Sequence, residues 1–157
     1  MEIRTEARFP PITGVTLAGR TRTLPEGFDA SLNLVFVTFR RASQATLDSW
    51  LPVAADLEAS APALRYYELA VLDRRLALAR PIIDRALRHT LPDAAARERT
   101  ITSYTDLRTV RRALDIDASD TVHAFLVDRD GDVYWRARGA RADADLSRLR
   151  AVVEALQ

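Results

Sequence analysis

Leu32 to Pro52, LNLVFVTFRRASQATLDSWLP, reads as a buried strand running directly into a helix. Leu32 to Phe39 is an almost unbroken apolar and β-branched run, the pattern of a strand covered on both faces. Arg40, Arg41 and Ala42 interrupt it, and Ser43 stands where an N-cap belongs. Leu47, Trp50, Leu51, Ala54 and Leu57 then recur on one helical face, so the helix is expected to continue to Ser60-Ala61-Pro62. In α/β proteins the junction of strand, loop and helix start is a common place for chemistry, because free N–H groups and the helix dipole meet there. Here the loop holds no nucleophile, metal ligand or glycine cradle.

Outward from this stretch, Phe9 to Pro25 reads as a β-hairpin turning at Ala18-Gly19-Arg20, since Gly19 accepts a positive φ. Leu64 to Leu72 is a second apolar strand, and strand–helix–strand in one sheet implies a parallel crossover. A long helical insertion follows, over about residues 74–106. Pro81 suits its first helical turn, Ile82, Ile83, Ala86 and Leu87 share a face, and Asp84 is spaced to pair with Arg88. Leu91-Pro92-Asp93 stops that helix, and residues 94–103 are polar without a clear period. Thr105 or Asp106 starts another helix with Leu107, Val110 and Leu114 inward. Residues 122–128 and 132–138 flank Asp130-Gly131 as a hairpin, and Asp143 is expected to cap a last helix carrying Leu146, Leu149, Val153 and Leu156. The reading is α/β: a mixed central sheet flanked by helices, one domain over residues 1–157.

The composition narrows the chemistry. A 48% hydrophobic, 29% charged chain with net charge +1 has no field to steer it to nucleic acid or an acidic membrane. Every basic residue is arginine, which excludes a Schiff-base or Walker A lysine. There is no cysteine, so disulfides, thiol catalysis and zinc ribbons are impossible. The opening MEIRTEARF lacks a signal-peptide core and no run is long enough to span a bilayer, so the default location is cytoplasmic. His89 and His123 are the only histidines and their spacing supports no metal site. Asp128 to Asp132 has its glycine fourth and no closing glutamate, so it is a turn and not a calcium loop. Arginine pairs at Arg40-Arg41, Arg74-Arg75 and Arg111-Arg112 are matched by acids, and Tyr66, Tyr67, Tyr134 and Trp135 fall in strands, which argues against a nucleic-acid partner. Trp50 and Trp135 are assigned to packing. No cofactor is expected.

The element order, with Phe9-Pro10 to Leu24-Pro25 as leader and FLVDRDGDVYWRARG (Phe125 to Gly139) as closing hairpin, resembles a redoxin-type thioredoxin-like protein. Aligned without a gap from Phe39 to Pro52, the two redox cysteine positions fall on Gln44 and Leu47, and the family's cis-proline falls near Val122. The resemblance therefore implies the fold without the oxidoreductase activity. Gln44 with Ser49-Trp50-Leu51-Pro52, the helical insertion, and Leu126-Val127-Asp128 followed by Val133-Tyr134-Trp135-Arg136 and Gly139 are similar to the cysteine-free assembly-chaperone family of the mitochondrial F-type ATP synthase. The Asn and Gly usual before that last strand are absent, and Arg141 stands where a small residue is common.

What the resemblance implies is a groove formed by Arg40, Arg41, Ser43, Gln44 and Leu47 facing Thr121, Val122 and His123, able to hold an extended polypeptide by backbone pairing. The alternative is that Leu47 and Val122 plug it as core. The expected role is a non-catalytic assembly chaperone or adaptor with a protein client, such as a membrane-complex subunit, met peripherally at the membrane. The competing reading is a thiol-independent enzyme or glutathione-binding protein; an exposed sheet edge also permits a homodimer.

Overall fold

The computed structural model describes residues 5, 7–39, 44–117 and 121–157. Arg40, Arg41 and Ser43 of the expected groove, with the expected Ser43 cap, lie outside the described residues. Seven strands form one sheet. β1 (Ile12–Thr16) and β2 (Thr21–Leu24) make the N-terminal antiparallel hairpin, with Gly19 at φ +94° in its turn. β3 (Leu32–Thr38) is followed by α1 (Gln44–Asp48) and α2 (Leu51–Ser60), and β4 (Leu64–Asp73) returns parallel to β3. A 3₁₀ segment (Arg74–Ala79), α3 (Arg80–His89) and α4 (Ala94–Arg99) lead into β5 (Thr100–Thr105). α5 (Leu107–Ala113), the hairpin of β6 (His123–Val127) and β7 (Val133–Arg138), and α6 (Asp143–Leu156) complete the chain. The strand order is β2-β1-β5-β4-β3-β6-β7, with β3–β4 and β4–β5 parallel and the other pairs antiparallel.

The sheet has a core on each face, and β3 supplies both. Leu34 and Phe36 join Leu47, Trp50, Ala54, Leu57, Leu149 and Val153 under α1, α2 and α6. Val35 and Val37 point the other way, to Phe28, Tyr67, Val110, Leu114 and Phe125. All four of these β3 side chains are fully buried, which is why the strand reads as a continuous apolar run.

Four local expectations are corrected. The helix after β3 is broken at Ser49-Trp50: Pro52 has no N–H for the carbonyl of Asp48, so α2 restarts with Trp50 as its cap and the proline in its first turn. The insertion ends at Arg99, and residues 100–105 are a strand pairing with both β4 and β1. Its polarity hid it, because its hydroxyls are satisfied inside the protein. Asp84 does not pair with Arg88; it faces inward, where it accepts from Thr102 Oγ1 (3.2 Å) and the Tyr104 hydroxyl (2.9 Å). Ala142, not Asp143, is the N-cap of α6, and Asp143 contributes only first-turn charge.

Candidate functional site

Of the described members of the expected groove, the structure brings Leu47 and Val122 together. Leu47 and Val122 share one buried cluster with Trp50, and Val122 is fully enclosed. Gln44 is exposed at the start of α1, where its side-chain amide donates to Asp48 Oδ1 at 2.9 Å. Thr121 is half-buried just before β6. His123 is buried, its backbone registered between Val37 of β3 and Arg138 of β7. Gln44 and Thr121 are thus reachable from solvent, whereas Leu47 and Val122 belong to the core; His123, the next residue along, faces the opposite side of the sheet from Val122.

Three hydrogen bonds hold this end together. The Gly139 N–H donates to the Val122 carbonyl (2.8 Å), the Trp50 indole N–H donates to the Gly139 carbonyl (2.9 Å), and the Arg141 N–H donates to Ser49 Oγ (3.0 Å). The β7–α6 loop is thereby latched to the break between α1 and α2. Gly139 sits at φ +78°, a conformation that glycine adopts without strain. Trp50 and Trp135 pack edge to face at 5.7 Å, as their assignment to packing requires.

Behind His123, on the edge of the sheet, lies a cavity of about 390 Å³ lined also by Asp115, Asp117, Arg136, Arg138 and Arg148. Arg138 pairs with Asp117 at 3.2 Å and Arg148 with Asp145 at 2.6 Å, so its charges largely neutralise one another. Asp128 is committed to the β6–β7 turn: it accepts from the N–H groups of Asp130 and Asp132 and from the Tyr134 hydroxyl (2.7 Å). Among the described residues no three His, Asp or Glu side chains converge to hold a metal ion.

Two polar clusters escaped the sequence reading. Glu58 of α2 accepts from Arg99 through both oxygens (2.9 and 3.2 Å) and from the Tyr66 N–H (3.0 Å), while the Arg99 guanidinium stacks 3.9 Å from the Tyr66 ring centroid. Burial pushes the Glu58 carboxyl up, but these bonds outweigh it and hold the group below its ordinary value. The second cluster is Asp84 with Thr102, Tyr104 and Arg80, whose guanidinium lies 4.6 Å from the Tyr104 ring centroid. Burial, and then the bond to Asp84, raise the Tyr104 hydroxyl far above its ordinary value. Both clusters join residues distant in sequence, and no local motif announces them.

The model of the family described as ATP10 protein matches residues 5–156. No curated protein matches the chain. Among solved structures, the thioredoxin domain of a thiol-disulfide oxidoreductase from Bacteroides vulgatus is similar at 20% identity and TM-score 0.64, with 95% of this chain and 97% of that one covered. BsSco, a member of the Sco family of cytochrome c oxidase assembly proteins, is similar at 11% identity and TM-score 0.63, with 98% of each chain covered. A thiol:disulfide interchange protein from Bacteroides sp. follows at 17% identity and TM-score 0.62, covering 98% of this chain and 93% of that one. The fold is thioredoxin-like, in a chain without cysteine.

Proposed function

Because this chain belongs to the ATP10 protein family, we propose that it is a non-catalytic assembly chaperone or adaptor whose client is a subunit of ATP synthase or of another membrane complex. The observation that carries the reading is the family match over residues 5–156 in a chain that has no thiol to exchange. Gln44 and Leu47 stand at the two positions aligned with the redox pair, one exposed and one in the core. The client would be held by backbone pairing at the rim that carries Gln44 and Thr121, above the buried Leu47 and Val122. No helix among the described residues is long and apolar enough to cross a membrane.

The test is co-expression with membrane-sector subunits of ATP synthase, followed by purification through a tag on this chain. A stable complex is expected with the wild type, and Gln44→Arg with Thr121→Arg is expected to abolish it. Both positions reach solvent, so the double variant keeps its fold. Val122→Asp is unsuitable, since a carboxylate in a fully enclosed site would unfold the protein. Failure of every subunit to co-purify overturns the assembly reading, and a complex that survives both arginines moves the client elsewhere. Glutathione is expected to leave the melting temperature unchanged. A rise would favour a glutathione-binding protein instead.

A further inference from the structure

The insertion between β4 and β5 is packed inside out. The face of β5 that it covers carries Thr100, Thr102 and Tyr104, and it docks there by hydrogen bonds. Thr102 Oγ1 and the Tyr104 hydroxyl donate to Asp84 of α3, Thr100 Oγ1 donates to the Ala96 carbonyl of α4, and Arg80 lies over the Tyr104 ring. Asp84 is the buried residue of α3. Ile82, two positions before it and so about 200° round the helix, points away from the protein and is 75% exposed. Leu78, at the end of the 3₁₀ segment, is 98% exposed, and Leu76 is 44% exposed. These are the large apolar side chains exposed among the described residues, and all three fall within seven positions of one insertion.

Arginine surrounds them. Residues 74–89 hold five arginines and one acid, against a net charge of +1 for the whole chain, and the acid is Asp84, turned inward. Arg75 is engaged by Asp73 at 2.9 Å. Arg74, Arg85 and Arg88 form no ion pair with an acid among the described residues, and Arg74 and Arg85 are exposed. Protruding leucine and isoleucine ringed by unpaired guanidinium groups complement a surface that is apolar just below a layer of negative charge. A protein interface would instead centre on aromatic residues or methionine, of which residues 74–89 hold none.

We propose that the 3₁₀ segment and α3 form a docking surface for an anionic phospholipid bilayer, with Leu76, Leu78 and Ile82 entering the acyl boundary and Arg74 and Arg85 on the headgroups. This assignment is independent of the polypeptide-binding rim, and its test contains no client. The purified full chain is floated with vesicles of phosphatidylcholine alone and of phosphatidylcholine with phosphatidylglycerol. Binding is expected only with the anionic vesicles and is expected to weaken with added salt. Leu78→Ser with Ile82→Ser is expected to lower partitioning about tenfold or more. Each of Arg74→Gln and Arg85→Gln is expected to lower it about fivefold. Unchanged far-ultraviolet circular dichroism and melting identify the variants as folded. No binding to anionic vesicles, or equal binding by the serine variant, overturns the proposal. So does a dimer by light scattering that Leu78→Ser with Ile82→Ser converts to a monomer, which would assign the patch to a second copy of this chain.

Discussion

The indole N–H of Trp50 donates to the carbonyl oxygen of Gly139 at 2.9 Å, so the residue at which the first helix breaks also holds the loop that closes the sheet. Trp50 is fully buried, 5.9 Å from the Phe36 ring centroid and 5.7 Å from that of Trp135. The hydrogen bond and the packing are separable by substitution. Trp50→Phe keeps an aromatic ring but loses the donor and some volume, and should cost about 1–3 kcal/mol. Trp50→Ala empties the centre of the cluster and should cost ~3–5 kcal/mol. Equilibrium urea denaturation checks both, with an unchanged m-value as the sign that the folded state is intact.

Gly14 of β1 is required by close approach and not by its backbone angles. A Cβ there would lie 2.6 Å from Ile101 Cγ2 and 2.8 Å from the Thr102 carbonyl oxygen. The second contact is with backbone of an interior strand, which cannot yield as a flexible side chain would. Gly14→Ala is therefore expected to destabilise the protein by about 1–3 kcal/mol and to loosen the β1–β5 pairing. Loss of hydrogen-exchange protection confined to β1 and β2 at moderate urea would show that the hairpin detaches before the rest.

Asp84 gives a local counterpart. Asp84→Ala removes the acceptor for two hydroxyls, Thr102 Oγ1 and the Tyr104 O–H, and should cost about 1–3 kcal/mol. The same bonds fix α3 against β5, so cleavage by trypsin after the insertion's arginines should quicken more than global stability falls. Thr102→Val with Asp84→Leu replaces the polar contact by an apolar one. It should recover only part of the loss, because the Tyr104 hydroxyl and the Arg80 guanidinium still lose their acceptor, and adding Tyr104→Phe should recover more.

The elements legible in the sequence were those whose partners are water or hydrocarbon. β3 announced itself because Leu34 and Phe36 face one core and Val35 and Val37 the other, and the β6–β7 turn did so through Gly131, at φ +96°. β5 did not, because its buried Thr102 and Ser103 are satisfied by Asp84 and the Thr13 carbonyl, from segments far away in sequence. The outward turn of Ile82 was hidden for the same reason: periodicity shows that residues share a face, but Asp84 decides which face is inside. At the rim, gapless alignment from Phe39 to Pro52 puts the two redox positions on Gln44 and Leu47. Which of them would be covered depended on Trp50 and Val122 meeting in space.

Glu58 and Glu68 carry opposite pH dependence. Burial pushes Glu58 up, yet Arg99 and the Tyr66 N–H overrule it, so the folded-state pKa lies below the ordinary carboxylate value. Its stabilisation is fully present above that ordinary value, about 4.3, and is lost as pH falls through the folded pKa. Glu68 is pushed the other way, chiefly by burial, which the Thr100 hydroxyl (3.1 Å) and the more distant Arg99 charge ease without overcoming. Between its ordinary and its raised pKa the folded state holds the extra proton, so stability falls as pH rises through that window. At neutral pH Glu58→Gln should therefore lower stability by ~1–2 kcal/mol, whereas Glu68→Gln should raise it, the amide oxygen still accepting from Thr100. Urea midpoints from pH about 3 to 7 decide the matter: each variant should converge on the wild type as acid protonates the corresponding carboxyl, from opposite sides. A Glu68→Gln variant less stable than wild type at neutral pH would show that the carboxylate, and not its neutral form, is what the fold accommodates.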